Sequence, residues 1–278
     1  MTIEVHRPAV KNETWYLCYV LPNCNLPITT CVFIGFFFFL IMPGQNTIAS
    51  EEILPFEQLI AEMEHPDPNR SWDAVNALGA SGDKRAVPLL MKALEKDMTQ
   101  RTGIALAIIP ALGFLRDERT VPLLLKALNN TDVNWPGREV AARALGDIGS
   151  KQAVPDLIRA AWLPETRNAA IEALAGIGDP RATDVLLSAL SEEEDTNSRE
   201  AAITGLIRIG ANAVPALIDK LNVCNKEYTT NYERALAAMI LGRIGDMRAV
   251  NSLNRALNDP NPKVRKSAES ALEYLMNG

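Results

Sequence analysis

Histidine is nearly missing from this chain. Among 278 residues there are two, His6 and His65, and His65 is followed directly by Pro66. A serine or cysteine nucleophile needs a histidine base oriented by a third group, and one histidine in a turn leaves no such constellation to build. Cysteine is sparse too, with Cys18, Cys24, Cys31 and Cys224. No pair of them has metal-site spacing with histidines nearby, so neither a disulfide framework nor a metal site is expected, and no cofactor is assigned. A basic surplus is also absent: 28 Lys and Arg stand against 34 Asp and Glu, a net charge of −6. That balance argues against a nucleic-acid partner. Strand alternation appears nowhere, so no glycine-rich phosphate loop can follow a strand.

Aromatics make up 6% of the chain, and five of the seven phenylalanines (Phe33, Phe36, Phe37, Phe38, Phe39) fall in one run. The run belongs to residues 28–42, I-T-T-C-V-F-I-G-F-F-F-F-L-I-M, which carry no charge and end at Pro43 and Gly44. A spanning helix needs about 20 apolar residues and the core of an export signal about 7–15, so the length favours a cleaved signal. Thr47-Ile48-Ala49 before Ser50 suits cleavage. The polar lead is long, and its Arg7 and Lys11 are offset by Glu4 and Glu13, which leaves an uncleaved anchor as the alternative and a buried helix as a third. The chain therefore divides into residues 1–49, a signal peptide or N-terminal anchor, and residues 50–278. The second part is expected to be exported (periplasmic or extracellular) or anchored facing outward. Membrane contact would be confined to residues 28–42 if they are retained. Removing residues 1–49 leaves Cys224 alone, which suits an oxidising compartment.

What fills residues 50–278 is repetition. The leucines before a glycine-rich hinge are Leu78, Leu112, Leu145, Leu174, Leu206, Leu241 and Leu272, spaced 29 to 35 residues apart. The hinges read L-G-A-S-G-D, L-G-F-L-R-D, L-G-D-I-G-S, L-A-G-I-G-D, L-I-R-I-G-A and L-G-R-I-G-D. Glycine ends a helix by taking a left-handed conformation, so Gly146 and Gly149 are expected to hinge two short helices. Pro88, Pro122, Pro155 and Pro215 then stand where a second helix starts, a position at which a missing N–H costs nothing. Second helices show an i, i+3, i+4, i+7 stripe, as in Val121, Leu124, Leu125 and Leu128. First helices add a small-residue stripe, as in Ala141, Ala142, Leu145 and Ile148. A repeat cannot bury its apolar face alone, so stacking must do so, with half-units at both ends as caps. The expected fold is all-α: an α-solenoid of fourteen short helices in a right-handed superhelix, about six full repeats plus terminal half-repeats.

The unit V-R-x-x-A-x-x-A-L-G-x-I-G-D-x-x-A-V-P-x-L-x-x-A-L resembles the HEAT-like repeat first named for phycobilisome bilin lyases, over about residues 53–275. The resemblance implies the fold and is unspecific for function, because similar repeats occur in bilin lyases, in an iron hydroxylase that modifies a lysine, and in many binding proteins. The hydroxylase needs several His-Glu pairs, which this sequence does not have.

Two series of charged residues keep the period. Arg138, Arg167, Arg199, Arg234 and Arg265 stand seven residues before a hinge leucine, and Asp83, Asp117, Asp179 and Asp246 five after. They form either an anion-binding ladder or, as preferred here, a structural one in which each Arg pairs with a hinge Asp or a loop carbonyl of the neighbouring unit. Lys92, Lys126, Arg159 and Arg255 lie opposite the apolar stripe of second helices, a candidate basic row for an acidic segment of a partner protein. Trp135 and Tyr228 sit in loops that depart from the period, and such loops often bind. The expectation is a non-catalytic protein-binding scaffold. The alternative is a lyase-like protein that handles a bilin (phycocyanobilin), a tetrapyrrole chromophore.

Overall fold

A computed structural model describes residues 55–100, 102–132, 135–191, 195–223 and 230–277. Residues 1–49, and the signal or anchor assigned to them, lie outside that set, as do Tyr228 and Cys224. Fourteen α-helices and no strand occur among the described residues. They are α1 (Phe56–Met63), α2 (Pro68–Ala80), α3 (Ala86–Gln100), α4 (Ala105–Leu115), α5 (Val121–Leu128), α6 (Gly137–Ile148) and α7 (Val154–Ala160). The rest are α8 (Arg167–Ile177), α9 (Thr183–Ser188), α10 (Thr196–Ile209), α11 (Val214–Asn222), α12 (Asn231–Ile244), α13 (Val250–Ala256) and α14 (Pro262–Asn277). Even-numbered helices are the first helices of the repeat and odd-numbered ones the second. Each second helix packs on the first helix that follows it, and first helices pack on one another in series, so the chain is an α-solenoid with α1 and α14 as half-units. No single described helix is long and apolar enough to cross a membrane.

The core is one continuous cluster running through every unit. Hinge leucines Leu78, Leu112, Leu145, Leu174, Leu206 and Leu241 are fully buried within it, and so are the stripe residues Leu90, Leu124, Leu157, Leu186, Leu217 and Leu253. The period seen in the sequence is thus the period of burial.

The hinge differs from its expected form in one respect. Gly149 caps α6 with φ +78°, a left-handed value that a side chain resists, and its N–H donates to the Leu145 carbonyl at 3.1 Å. Gly146 does not break the helix; it lies inside α6. A Cβ built there would meet the Cα of Ala173 on α8 at 2.7 Å. Its glycine is required by the approach of the next first helix. The same arrangement joins Gly79 to Ala111, Gly113 to Ala144 and Gly242 to Ala271, and at α8–α10 it is reversed, Ala175 against Gly205. At the α10–α12 joint the corresponding positions hold Ile207 and Ile240. There the two first helices touch far less than at any other joint. Two isoleucines where a glycine and an alanine belong hold the backbones apart.

Short 3₁₀ turns at residues 118–120, 151–153, 180–182, 210–212 and 247–249 lead into the second helices. Asp117 caps the first of these, accepting from the backbone N–H of Arg119 at 3.0 Å, and Asp179 and Asp246 do likewise for Arg181 and Arg248. Asp83 accepts from Arg85 in the same way.

Candidate partner-binding surface

The two charged series turn out not to meet. Each hinge Asp pairs with an Arg two residues further on: Asp117 with Arg119 at 2.7 Å, Asp179 with Arg181 at 2.8 Å, Asp246 with Arg248 at 2.6 Å and Asp83 with Arg85 at 2.6 Å. The arginine side-chain hydrogen bonds hold the Asp117 and Asp179 carboxyls down at about 2, and push Asp83 and Asp246 below the usual range as well. Two of these arginines also reach the preceding unit, Arg181 donating to the Lys151 carbonyl at 2.9 Å and Arg248 to that of Ala211 at 2.6 Å. The sequence reading missed this pairing, although the signal was present: D-K-R, D-E-R, D-P-R and D-M-R repeat at four hinges.

The other arginine series reaches backward to carbonyls at the ends of second helices or in the loops just past them. Arg167 donates to the Ala161 carbonyl at 2.8 Å, Arg199 to Ser191 at 3.3 Å, Arg234 to Leu221 at 3.2 Å and Arg265 to Asp259 at 2.7 Å. At Ala161 and Leu221 these are last carbonyls of a helix, which lack intrahelical partners and carry its negative dipole end, so a guanidinium satisfies both needs; at Ser191 and Asp259 they are loop carbonyls. Arg138 instead faces Glu165 of the next unit at 3.1 Å. Arg234 forms a second bond, to the carboxylate of Asp259, and both side chains are buried, 6% and 5% exposed.

The remaining candidates separate. Lys92, Lys126, Arg159 and Arg255 are all exposed on second helices. Arg159 pairs with Asp156 one turn back on its own helix, and Arg255 donates to the Ser252 hydroxyl at 2.9 Å. Trp135 is 6% exposed, and its indole N–H donates to the Ala127 carbonyl at 3.2 Å. It closes the end of α5 and presents little to a partner. His65, the histidine of the repeat region, sits in the α1–α2 turn, where Nδ1 accepts from the Asp67 N–H at 3.0 Å and Nε2 lies 2.9 Å from Nη1 of Arg70.

With a continuous stack of helix pairs and periodic residues engaged in holding it, the molecule defines itself as a helical-repeat protein. The family described as HEAT repeats matches residues 56–135, 101–164, 130–207 and 161–231, and the PBS lyase HEAT-like repeat matches residues 233–259. The chain belongs to the HEAT-repeat family. Among curated proteins it is similar to "Uncharacterized phycocyanin operon protein Z" of Pseudanabaena tenuis (strain PCC 7409), 33% identical over 115 residues. The match covers 39% of this chain and 55% of that relative, so the chain spans about half of the relative's length. Among solved structures it is similar to the complex of CpcE and CpcF of phycocyanin lyase from Nostoc sp. PCC7120, with TM-score 0.50 and 23% identity, covering 85% of this chain and 95% of that one. Human deoxyhypusine hydroxylase aligns with TM-score 0.40 and 20% identity, over 80% of this chain and 96% of the other.

Proposed function

We propose that this protein is a non-catalytic scaffold that binds another protein, and that it acts outside the cytoplasm. The observation that carries the reading is how the recurring charged groups are used: hinge aspartates cap the 3₁₀ turns, and ladder arginines bond to carbonyls at or just past the ends of second helices. What is left is helical surface, and helical-repeat stacks bind through extended surface. The likeness to a structure containing two proteins in complex supports a protein partner. Lys92, Lys126, Arg159 and Arg255 suit an acidic segment of that partner. The double variant K126E/R159E is expected to weaken capture of the partner from the native compartment by about tenfold, equivalent to about 1.4 kcal/mol; unchanged capture refutes the basic row. Export is supported by residues 28–42, and N-terminal sequencing of the mature protein tests it: a start at residue 50 means a cleaved signal, an intact start an anchor.

A second reading is a lyase-like role with a bilin such as phycocyanobilin, supported by the phycocyanin-operon relative and the phycocyanin lyase complex. Adding bilin to the purified chain and an acceptor protein tests it. No change in visible absorbance and no transfer to the acceptor eliminate that role.

A further inference from the structure

The exposed seams between successive first helices are not alike. Where α6 meets α8, the residues two before each hinge leucine are Arg143 and Glu172, which pair across the seam at 2.5 Å. At α12–α14 the same two positions hold Met239 and Ser270. A groove of about 540 Å³ lies along this seam. Leu236 and Met239 line it on α12, and Tyr274, 60% exposed, stands on α14. Arg243, Lys263 and Lys266 also line it, and its lining contains no carboxylate. None of the three has an ion-pair partner among the described residues. On a chain of net charge −6, an apolar strip edged by three cations is a local reversal of sign.

We propose that this groove receives one helix of another protein, amphipathic, with its apolar stripe flanked by carboxylates. This inference rests on the protein-binding reading and names its surface. The α12 side of the groove runs from Tyr232 to Arg243, a length of about 16 Å at 1.5 Å per residue, or about three helical turns. An apolar helix face on Leu236, Met239 and the Tyr274 ring removes exposed apolar surface from water. Carboxylates one turn to either side of that stripe then meet Arg243 from α12 and Lys263 and Lys266 from α14. Glu269 and Glu273 of α14 are outside the lining, so the cations are left to the incoming chain. Recognition of this kind reads i, i+3, i+4, i+7 anchors for affinity and flanking charge for orientation and choice of partner.

The test uses the full chain and two helical peptides of about 14 residues with an identical leucine stripe, one flanked by Glu and the other by Lys. Binding is followed by fluorescence anisotropy at low ionic strength. The Glu peptide is expected to bind at least about tenfold more tightly than the Lys peptide, and K263E/K266E is expected to invert that order. Equal binding, no binding of the Glu peptide, or an order unchanged in the variant overturns the proposal. So does binding of anionic phospholipid vesicles that K263E/K266E abolishes while peptide discrimination is lacking. A pull-down with the wild-type chain and the variant separates the two readings. A partner retained equally by both leaves the scaffold standing and removes the groove. No partner captured by either chain removes the scaffold reading and the groove proposal with it.

Discussion

Glycine to alanine at two positions of consecutive first helices should change stability in opposite directions. Gly146 and Gly176 both lie inside helices, α6 and α8, within three residues of the end. In a helix, alanine is favoured over glycine by about 1 kcal/mol through the backbone entropy that glycine must lose. Gly176 has nothing within 4 Å of a built Cβ, so G176A is expected to stabilise by about 0.5–1 kcal/mol. At Gly146 the same methyl would stand 2.7 Å from the Cα and 2.8 Å from the Cβ of Ala173, about 1 Å inside ordinary carbon contact. Overpacking of this kind costs about 1–3 kcal/mol. Offset against the helix gain, G146A should lose about 1 kcal/mol, and because the helix contribution cancels between the variants, their difference of about 2 kcal/mol reports the clash alone. Urea denaturation followed by circular dichroism at constant slope measures both. If G146A is as stable as G176A, the first helices do not depend on glycine for their approach, and the account of the hinge is wrong.

Three further outcomes follow from other residues. Asp117 and Asp179 titrate at about 2 in the folded chain against an ordinary 3.8; a depressed carboxyl contributes stability above its unfolded value, so stability should fall as pH drops from about 4 to about 2. D117N/D179N should flatten that slope in denaturation curves taken across the range, and an unchanged slope contradicts the capping role. R234A leaves the buried Asp259 carboxylate without its partner, a loss of about 3–5 kcal/mol visible as a lower thermal midpoint. Arg116 ends α4 at φ +47°, where Gly149, Gly178 and Gly245 end α6, α8 and α12; R116G should stabilise by about 0.5–1 kcal/mol in the same denaturation assay, since a side chain is disfavoured there.

Much of the architecture could be read directly from the residues. Leu78 through Leu272 at near-constant spacing, the i, i+3, i+4, i+7 stripes and the prolines Pro122, Pro155 and Pro215 at the second position of their helices are local signals, and each reports a local requirement. Helix period, burial and turn chemistry repeat because every unit solves one packing problem. The candidate surface was less legible. The basic residues on second helices could be placed by period alone, but Trp135 could not be told from a binding residue until the Ala127 carbonyl was found beside its indole N–H.

By itself the sequence determined a helical-repeat chain, its register and where each unit begins, because those depend on residues near one another along the chain. Only the tertiary structure decided which glycine ends a helix and which admits a neighbour, since Gly146 answers to Ala173 in the following unit. It also decided that the ladder arginines reach back to carbonyls at and just past the ends of second helices and not to the hinge aspartates, whose partners two residues on were already written in the sequence. And it alone revealed the α12–α14 groove, because Met239 and Ser270 are unremarkable in sequence and acquire meaning when set where Arg143 and Glu172 close another seam. Contacts between units join residues about thirty positions apart, and the period says that such residues face each other without saying what passes between them.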